Sequence, residues 1–164
     1  MTSNGPISRG TRPSSALLRA KEIPGFNLGD RVDVRGWTVY ASDATLVGSV
    51  ASLFVDMHTR AVRYLGVSLV DSRTNLPDGM VLVPIGSASR PVGRRVVVLN
   101  TLSSLQLVSA PRVPNRPVTE ADENAALAVY GMEIAHNAGT ERYGGPMFAE
   151  HRLFGGARGT RAAR

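Results

Sequence analysis

The side chains suited to catalysis or metal binding are few and widely spaced in this chain of 164 residues. The three histidines, His58, His136 and His151, have no second ligand at helical or strand spacing, so a zinc site would need residues from unrelated regions. The absence of cysteine excludes disulfides, thiolate nucleophiles and cysteine-ligated metal clusters. No serine lies in a G-x-S-x-G context, and no glycine loop continues as G-K-[ST]. We therefore predict a protein that is not an enzyme and binds no metal or cofactor directly.

The closest pairing of a carboxylate with an imidazole is that of Asp56 and His58, two residues apart. Such a pair can handle protons. A β-turn in which the aspartate accepts hydrogen bonds from backbone amides is the commoner use of this spacing. We interpret the segment as a turn and keep proton handling as the alternative.

Two patterns raise the question of nucleic acid. Arg90, Arg94 and Arg95 either contact phosphate groups or form a solvated hairpin tip. Several strand-type aromatic residues either stack on bases or pack in a core, and the chain has a single lysine, Lys21, to accompany them. We favour the tip and the core, and expect no nucleic-acid partner. The aromatic residues concerned are Trp37, Tyr40, Phe54 and Tyr64.

The elements that would position these side chains are short β-type runs over residues 29–113. Hairpin-length links without an intervening helix predict a mainly β fold, a small antiparallel barrel. Gly48 suggests a bend, and Pro84 suggests an edge strand. The predicted core residues are Val34, Trp37, Val50, Leu53, Val55, Leu65, Val67, Leu82, Ile85, Val96 and Val98.

A linker and a short helix follow over residues 114–131. A helical turn around Leu102–Leu107 precedes the linker, and Thr119 with Asp122 resembles a capping box for a helix that Gly131 ends. The longest apolar stretch has 8 residues, counted with its glycine, against about 20 for a membrane-spanning helix. We expect neither a membrane span nor a secretory signal.

The net charge of +6 is concentrated at the two ends of the chain. Residues 1–28 are rich in serine, glycine, proline and arginine, and residues 132–164 are rich in arginine and glycine. Such compositions supply too little apolar area to form a core, so we expect extended arms that order on a partner. The partner-binding residues predicted in them are Leu17, Leu18, Tyr143, Phe148, Leu153 and Phe154.

An ordered series of strand motifs resembles the PRC-barrel domain. It comprises V-R-G-W-x-V-Y, V-G-S-V leading to L-F-V-D, R-Y-L-G-V, V-L-V-P-I and R-V-V-V, at residues 34–40, 47–56, 63–67, 81–85 and 95–98. Within this superfamily the photosynthetic reaction-centre H subunit is the closest relative that we can argue. Its V-N-A-L-S-S segment is similar to L-N-T-L-S-S at residues 99–104, and the proline, acidic and Tyr-Gly ending resembles residues 110–131.

Two departures from the H subunit shape the expectation. That subunit begins with a membrane-spanning helix, which this sequence lacks, so the chain would dock on its partners. Asp56 matches an aspartate of the family's proton relay, but His58 and Thr59 stand where the family has proline and glutamate. Arg63 matches a family arginine and is expected to organise a polar contact and to bind a partner. The resemblance implies a structural subunit rather than a proton-conducting one.

The resemblance therefore implies a non-catalytic subunit, peripheral on the cytoplasmic face of the inner photosynthetic membrane. Its partners would be reaction-centre subunits, with antenna polypeptides as further candidates, and the pigments and quinones would lie in those partners. Two alternatives remain: a soluble PRC-barrel adaptor in ribosome maturation or RNA processing, and a stress-related PRC-barrel protein.

Overall fold

The computed structural model describes residues 17–134, 143 and 145–155. Seven strands and three short α-helices form within them, with 3-10 turns at Ala20–Glu22, Ile85–Ser87 and Pro146–Phe148. The strands are β1 (Leu17–Arg19), β2 (Thr38–Tyr40), β3 (Leu46–Asp56), β4 (Val62–Val70), β5 (Pro77–Pro84), β6 (Ala88–Ser89) and β7 (Val96–Leu99). The helices are α1 (Ser104–Ser109), α2 (Glu120–Val129) and α3 (His151–Phe154).

The strands form one mixed sheet in the order β5-β4-β3-β2-β7-β6, with β1 added to β3. The long strands β3, β4 and β5 make an antiparallel meander. The prediction of a mainly β domain is confirmed, but two of its details are wrong. β7 pairs with β2 in parallel, with Val96 opposite Thr38, and the hydrogen-bonded path through the described residues does not close into a barrel.

The irregularities that the sequence predicts in the sheet, at Gly48 and Pro84, are both confirmed. β5, which ends at Pro84, is the last strand in the sheet order, where a residue without an N–H costs the ladder least. The pairing of β2 with β3 shifts register between Val39, opposite Gly48, and Tyr40, opposite Leu46, so an irregularity lies next to Gly48 as predicted. There β3 also passes so close to β4 that an added Cβ on Gly48 would clash with the Ser68 carbonyl. The first predicted strand is shorter than expected, because regular pairing begins at Thr38 rather than at Val32.

Most of the predicted core residues are buried, but the prediction of which β7 residues face the core is wrong by one position. Val97 and Leu99 are fully buried, whereas Val96 and Val98 are half-exposed. A one-residue shift moves every side chain of a strand to the other face, and three consecutive valines give no alternation from which to choose. The predicted core residues that the structure buries are Val34, Trp37, Val50, Leu53, Val55, Leu65, Val67, Leu82 and Ile85.

Both predicted helices form; the cap at Thr119 was predicted, and α1 has a similar cap at Ser103 that was not. The Ser103 and Thr119 side chains accept hydrogen bonds from the N–H groups of Gln106 and Asp122, which begin α1 and α2. Gly131 follows α2 with φ of 72°, the left-handed conformation that favours glycine at a helix end. No helix among the described residues is long and apolar enough to cross a membrane.

The described parts of the two terminal segments take part in the fold, which corrects the predicted arms there; residues 1–16, 135–142, 144 and 156–164 of those arms lie outside the described residues. β1 pairs with the last residues of β3, with Leu17 opposite Asp56. The segment 145–155 packs on residues 85–89 so closely that a Cβ on Gly86 would clash with the Pro146 carbonyl. The expectation that the tail supplies no core is wrong, because its scattered apolar side chains fill the space beside these residues. Those buried are Tyr143, Phe148, Leu153 and Phe154.

Candidate interaction surface

The two ends of the β3–β4–β5 meander differ in which segments of the chain pack against them. We call the end where β3 begins and β4 finishes, at Leu46 and Val70, the open end. We call the opposite end, where β3 finishes at Asp56 and β4 begins at Val62, the covered end. β1 and the segment 145–155 pack near the covered end, whereas α1 stands beside the open end.

Helix α1 exposes apolar side chains at the open end. Leu107 is fully buried, but Leu105 and Val108, three residues apart on the other side of the helix, are 74% and 55% exposed. The helix is tied to the first turn of the sheet, because the Ser104 hydroxyl and N–H donate to the Asp43 carboxylate at 2.7 and 3.2 Å. The sequence thus fixes a helix whose outer face is apolar.

Leu105 and Val108 line a groove of about 360 Å³ together with the open end of the sheet. Leu46, which is 55% exposed, and Val70 also line it, together with the charged residues Asp71, Arg73 and Asp78, which we call its rim. We call this feature the α1 groove. A cluster of exposed apolar side chains around a concave surface is typical of a docking site for another molecule.

Two carboxylates at the α1 groove have lowered pKa values: Asp71 lines the groove, and Asp43 lies beside it, hydrogen-bonded to the lining residue Ser104. The Ser104 hydroxyl, with further hydrogen bonds from Ser104 and Thr45, lowers the pKa of Asp43 to about 2. The backbone N–H of Arg73 lowers the pKa of Asp71. Asp78 is paired with Arg112 at 2.9 Å. The groove therefore combines an apolar floor with a fixed acidic edge.

At the covered end, the Asp56–His58 segment is a turn, as expected. The Asp56 carboxylate accepts a hydrogen bond from the His58 backbone N–H at 2.9 Å, and His58 itself is exposed. Asp56 is buried and lies 3.5 Å from the Arg63 guanidinium. Arg63 also donates to the Phe148 carbonyl at 3.2 Å and to the Thr59 hydroxyl. Arg63 thus organises an internal polar contact that holds the C-terminal segment.

One partly buried and one fully buried carboxylate complete the covered end. Glu150 accepts a hydrogen bond from the Val62 N–H at 2.8 Å and is paired with Arg31 at 3.1 Å. Glu123 of α2 is fully buried, and its Oε1 accepts hydrogen bonds from the hydroxyls of Tyr64 and Tyr143, both at 3.0 Å. These contacts join β4, α2 and the C-terminal segment through hydrogen bonds and an ion pair within the chain.

A second groove, of about 470 Å³, lies beside the covered end between residues 20–28 and 31–35. Its guanidinium groups are already paired within the chain, Arg31 with Glu150 and Arg35 with Asp33. The Arg35 side chain lowers the pKa of Asp33 through a hydrogen bond. This groove is larger than the α1 groove, but its two guanidinium groups are compensated within the chain, so it is the weaker candidate for a partner.

The structure assigns most of the predicted partner-binding residues a place inside this chain. Leu17, Tyr143, Phe148, Leu153 and Phe154 are buried in its core. These side chains are already covered by other parts of the same chain. A contact between a partner and the surface near them stays a prediction. Leu18 is half-buried against the core, and Arg63 makes the contacts described above.

Sequence reasoning missed Leu46, Leu105 and Val108. The sequence of α1 did contain a signal. Ser103 and Gln106 form the cap that sets where this six-residue helix begins, and with that start Leu105 and Val108 lie on a different side of the helix from buried Leu107. Among residues 17–134, 143 and 145–155, no cluster of three or more histidine or acidic side chains is suited to a metal ion.

Short strands, a mixed sheet that is not closed and a few short helices define a small mainly β domain. Residues 30–106 match the family model of the PRC-barrel domain. The chain therefore contains a PRC-barrel domain, which spans β2–β7 and the first half of α1. β1, α2 and the segment 145–155 lie outside the matched region.

Proposed function

We propose that this chain is a non-catalytic structural subunit, similar to the reaction-centre H subunit, on the cytoplasmic face of a photosynthetic membrane complex. The observation that carries the proposal is the α1 groove, with Leu105, Val108 and Leu46 exposed around it. A protein that acts alone gains nothing from such a surface, whereas a subunit uses it for assembly.

Two further considerations support a structural role. The strand motifs and the segment from residue 99 to residue 131 resemble the H subunit, as set out above. The buried polar groups at the covered end are engaged with one another, and Asp56 serves a turn and an ion pair. The subunit would bind no cofactor itself, and the pigments and quinones would lie in its partners.

The test is co-migration with a pigmented complex from the source cells. Membranes carrying a tagged chromosomal copy are washed in high salt, solubilised in a mild detergent and separated on a density gradient. We expect the tagged chain in the pigmented fraction, because contacts that bury apolar side chains survive salt that screens surface charges. Release of all the chain by the salt wash, or migration apart from pigment, contradicts the proposal.

A pair of variants connects this test to the groove. Leu105→Gln with Val108→Gln removes the exposed apolar side chains while keeping a good helix former at both positions. Val92→Gln is the control, because Val92 is 97% exposed and lies outside the groove. We expect only the double variant to leave the pigmented fraction. Co-sedimentation of the unaltered chain with ribosomal particles would instead support the ribosome-maturation alternative.

A further inference from the structure

We infer that the α1 groove binds an amphipathic helical segment of another polypeptide, one whose apolar face is flanked by lysine or arginine. The inference rests on the proposed function in that it names the chemistry of the docking partner. It draws on three features of the groove: its apolar lining, the charge of its rim and the way Asp43 is held.

The apolar lining comes from one helix and from the ends of two strands. Leu105 and Val108 stand on α1, and Leu46 and Val70 stand on the ends of β3 and β4. A concave surface between a helix and two strand ends accommodates an inserted row of side chains better than a flat patch does. Helices that place residues at i, i+3 and i+4 into an apolar groove use this mode of recognition.

The rim selects for a cation. Three carboxylates, those of Asp43, Asp71 and Asp78, lie at or beside the groove, against the guanidinium groups of Arg73 and Arg112. Arg112 is held by Asp78 through its carboxylate at 2.9 Å and its carbonyl at 2.7 Å. The rim therefore carries one more negative than positive charge, which favours a partner of opposite sign.

Asp43 is the carboxylate best placed to receive that cation. It is exposed, and the Ser104 and Thr45 donors fix its position beside Leu105. Within residues 17–134 and 145–155 no ion pair involves Asp43. A carboxylate held by neutral donors and open to solvent is preorganised for a lysine or arginine, because its orientation is set before the partner arrives.

The same charge argues against a second copy of this chain as the occupant. A two-fold interface brings identical patches together, so the acidic rim of one copy would face the acidic rim of the other. Like charges placed opposite one another in an interface are unfavourable. A basic amphipathic segment of a different polypeptide avoids this repulsion.

The experiment uses the full chain and a fluorescein-labelled 18-residue amphipathic helical peptide made of leucine and lysine. The matched control peptide has glutamate at every lysine position. We expect the lysine peptide to bind in fluorescence anisotropy, and the glutamate peptide to bind at least about tenfold more weakly.

Variants then locate the binding in the groove. Leu105→Gln with Val108→Gln should weaken binding of the lysine peptide at least about tenfold, as expected for central apolar contacts. Asp43→Asn should weaken it about threefold, and high salt should remove that difference. Val92→Gln should leave the affinity unchanged within about twofold. Circular dichroism verifies that each variant is folded.

Three results would overturn the inference. They are equal binding of the two peptides, affinity unaffected by the double variant, and a wild-type dimer in analytical ultracentrifugation that the double variant dissociates. Failure of the proposed function looks different. Groove-specific peptide binding without co-migration with pigment supports the groove and contradicts the reaction-centre role. Co-migration that the double variant leaves intact supports that role and contradicts this docking site.

Discussion

The covered end and the open end of the β3–β4–β5 meander differ in what shields their apolar side chains. Near the covered end, segments distant in sequence supply the shield, because β1 pairs with β3 and residues 145–155 pack on residues 85–89. At the open end, the neighbouring helix α1 turns Leu105 and Val108 toward solvent. The chain completes one end by itself and leaves an apolar groove at the other.

The polar groups follow the same division. Glu123, which is fully buried, accepts hydrogen bonds from two tyrosine hydroxyls, and Glu150, which is partly buried, accepts one from a backbone N–H at the covered end. Asp43 at the open end is fixed by serine and threonine but faces solvent. Burying a carboxylate costs stability unless hydrogen bonds or an opposite charge compensate it. The contacts at the covered end supply this compensation from within the chain. The exposed carboxylate is instead available to another molecule.

The largest expected difference between the two ends concerns their apolar side chains. Phe148→Ala at the covered end should lower the free energy of unfolding by about 3–5 kcal/mol, because it removes a fully buried ring from the core. Leu105→Ala at the open end should change it by less than about 0.5 kcal/mol, because that side chain is already exposed. Urea denaturation measures both. Equally small losses would show that residues 145–155 are not part of the cooperative fold.

A smaller effect is expected from crowding the contact between the C-terminal segment and residues 85–89. Gly86→Ala should cost about 1–3 kcal/mol, because the added methyl group meets the backbone of Pro146 and Met147. Hydrogen exchange should rise across residues 145–155. Gly93→Ala is the control, since Gly93 has a φ of 78° but open space around it. If both variants leave exchange over residues 145–155 unchanged, the close contact at Gly86 is wrong.

The buried hydrogen bonds at Glu123 should contribute next. Tyr143→Phe removes one donor to Glu123 Oε1 and should cost about 1–3 kcal/mol, the range for taking a hydrogen-bond partner from a buried polar group. Tyr40→Phe should cost less than about 0.5 kcal/mol, because within the described residues the Tyr40 hydroxyl has no hydrogen-bond partner. A double-mutant cycle with Tyr64→Phe measures the coupling. Complete additivity would contradict a shared acceptor.

The local features of the sheet were predictable because their signals are local. Pro84 lacks an N–H, Gly48 lacks a Cβ, and Thr119 and Asp122 form a capping box at fixed spacing. These properties act within a few residues, so the sequence reveals them directly. The turn at Asp56 belongs to the same group.

The features that were missed depend on contacts between distant residues. The parallel pairing of Thr38 with Val96 joins segments 58 positions apart, and nothing in either segment specifies it. Phe148 and Leu153 are scattered among polar residues and glycine, so their share of the core emerges only once residues 85–89 are in place. The groove was missed because exposure of Leu105 depends on how α1 packs.

The smallest effect concerns pH and tests whether Asp43 secures the open end. Its pKa falls from 3.8 to about 2 in the folded protein, mainly because the Ser104 hydroxyl donates to the carboxylate. In acid the unfolded chain therefore binds this proton first, and the stability that Asp43 contributes is lost as pH falls from 3.8 to about 2. Asp43→Asn should make the measured decline in this window shallower.

Ser104→Ala sharpens the test, because it keeps the carboxylate but removes the hydroxyl donor that lowers the pKa of Asp43 most. It should also make the decline shallower, whereas a slope equal to that of the wild-type chain in both variants would contradict the role of the Asp43–Ser104 contact. The remaining slope is expected from Asp33, Asp71 and Asp122, whose pKa values are also lowered. Hydrogen exchange in the same window should rise at α1 before it rises at residues 145–155, since only α1 is tied to the sheet through Asp43.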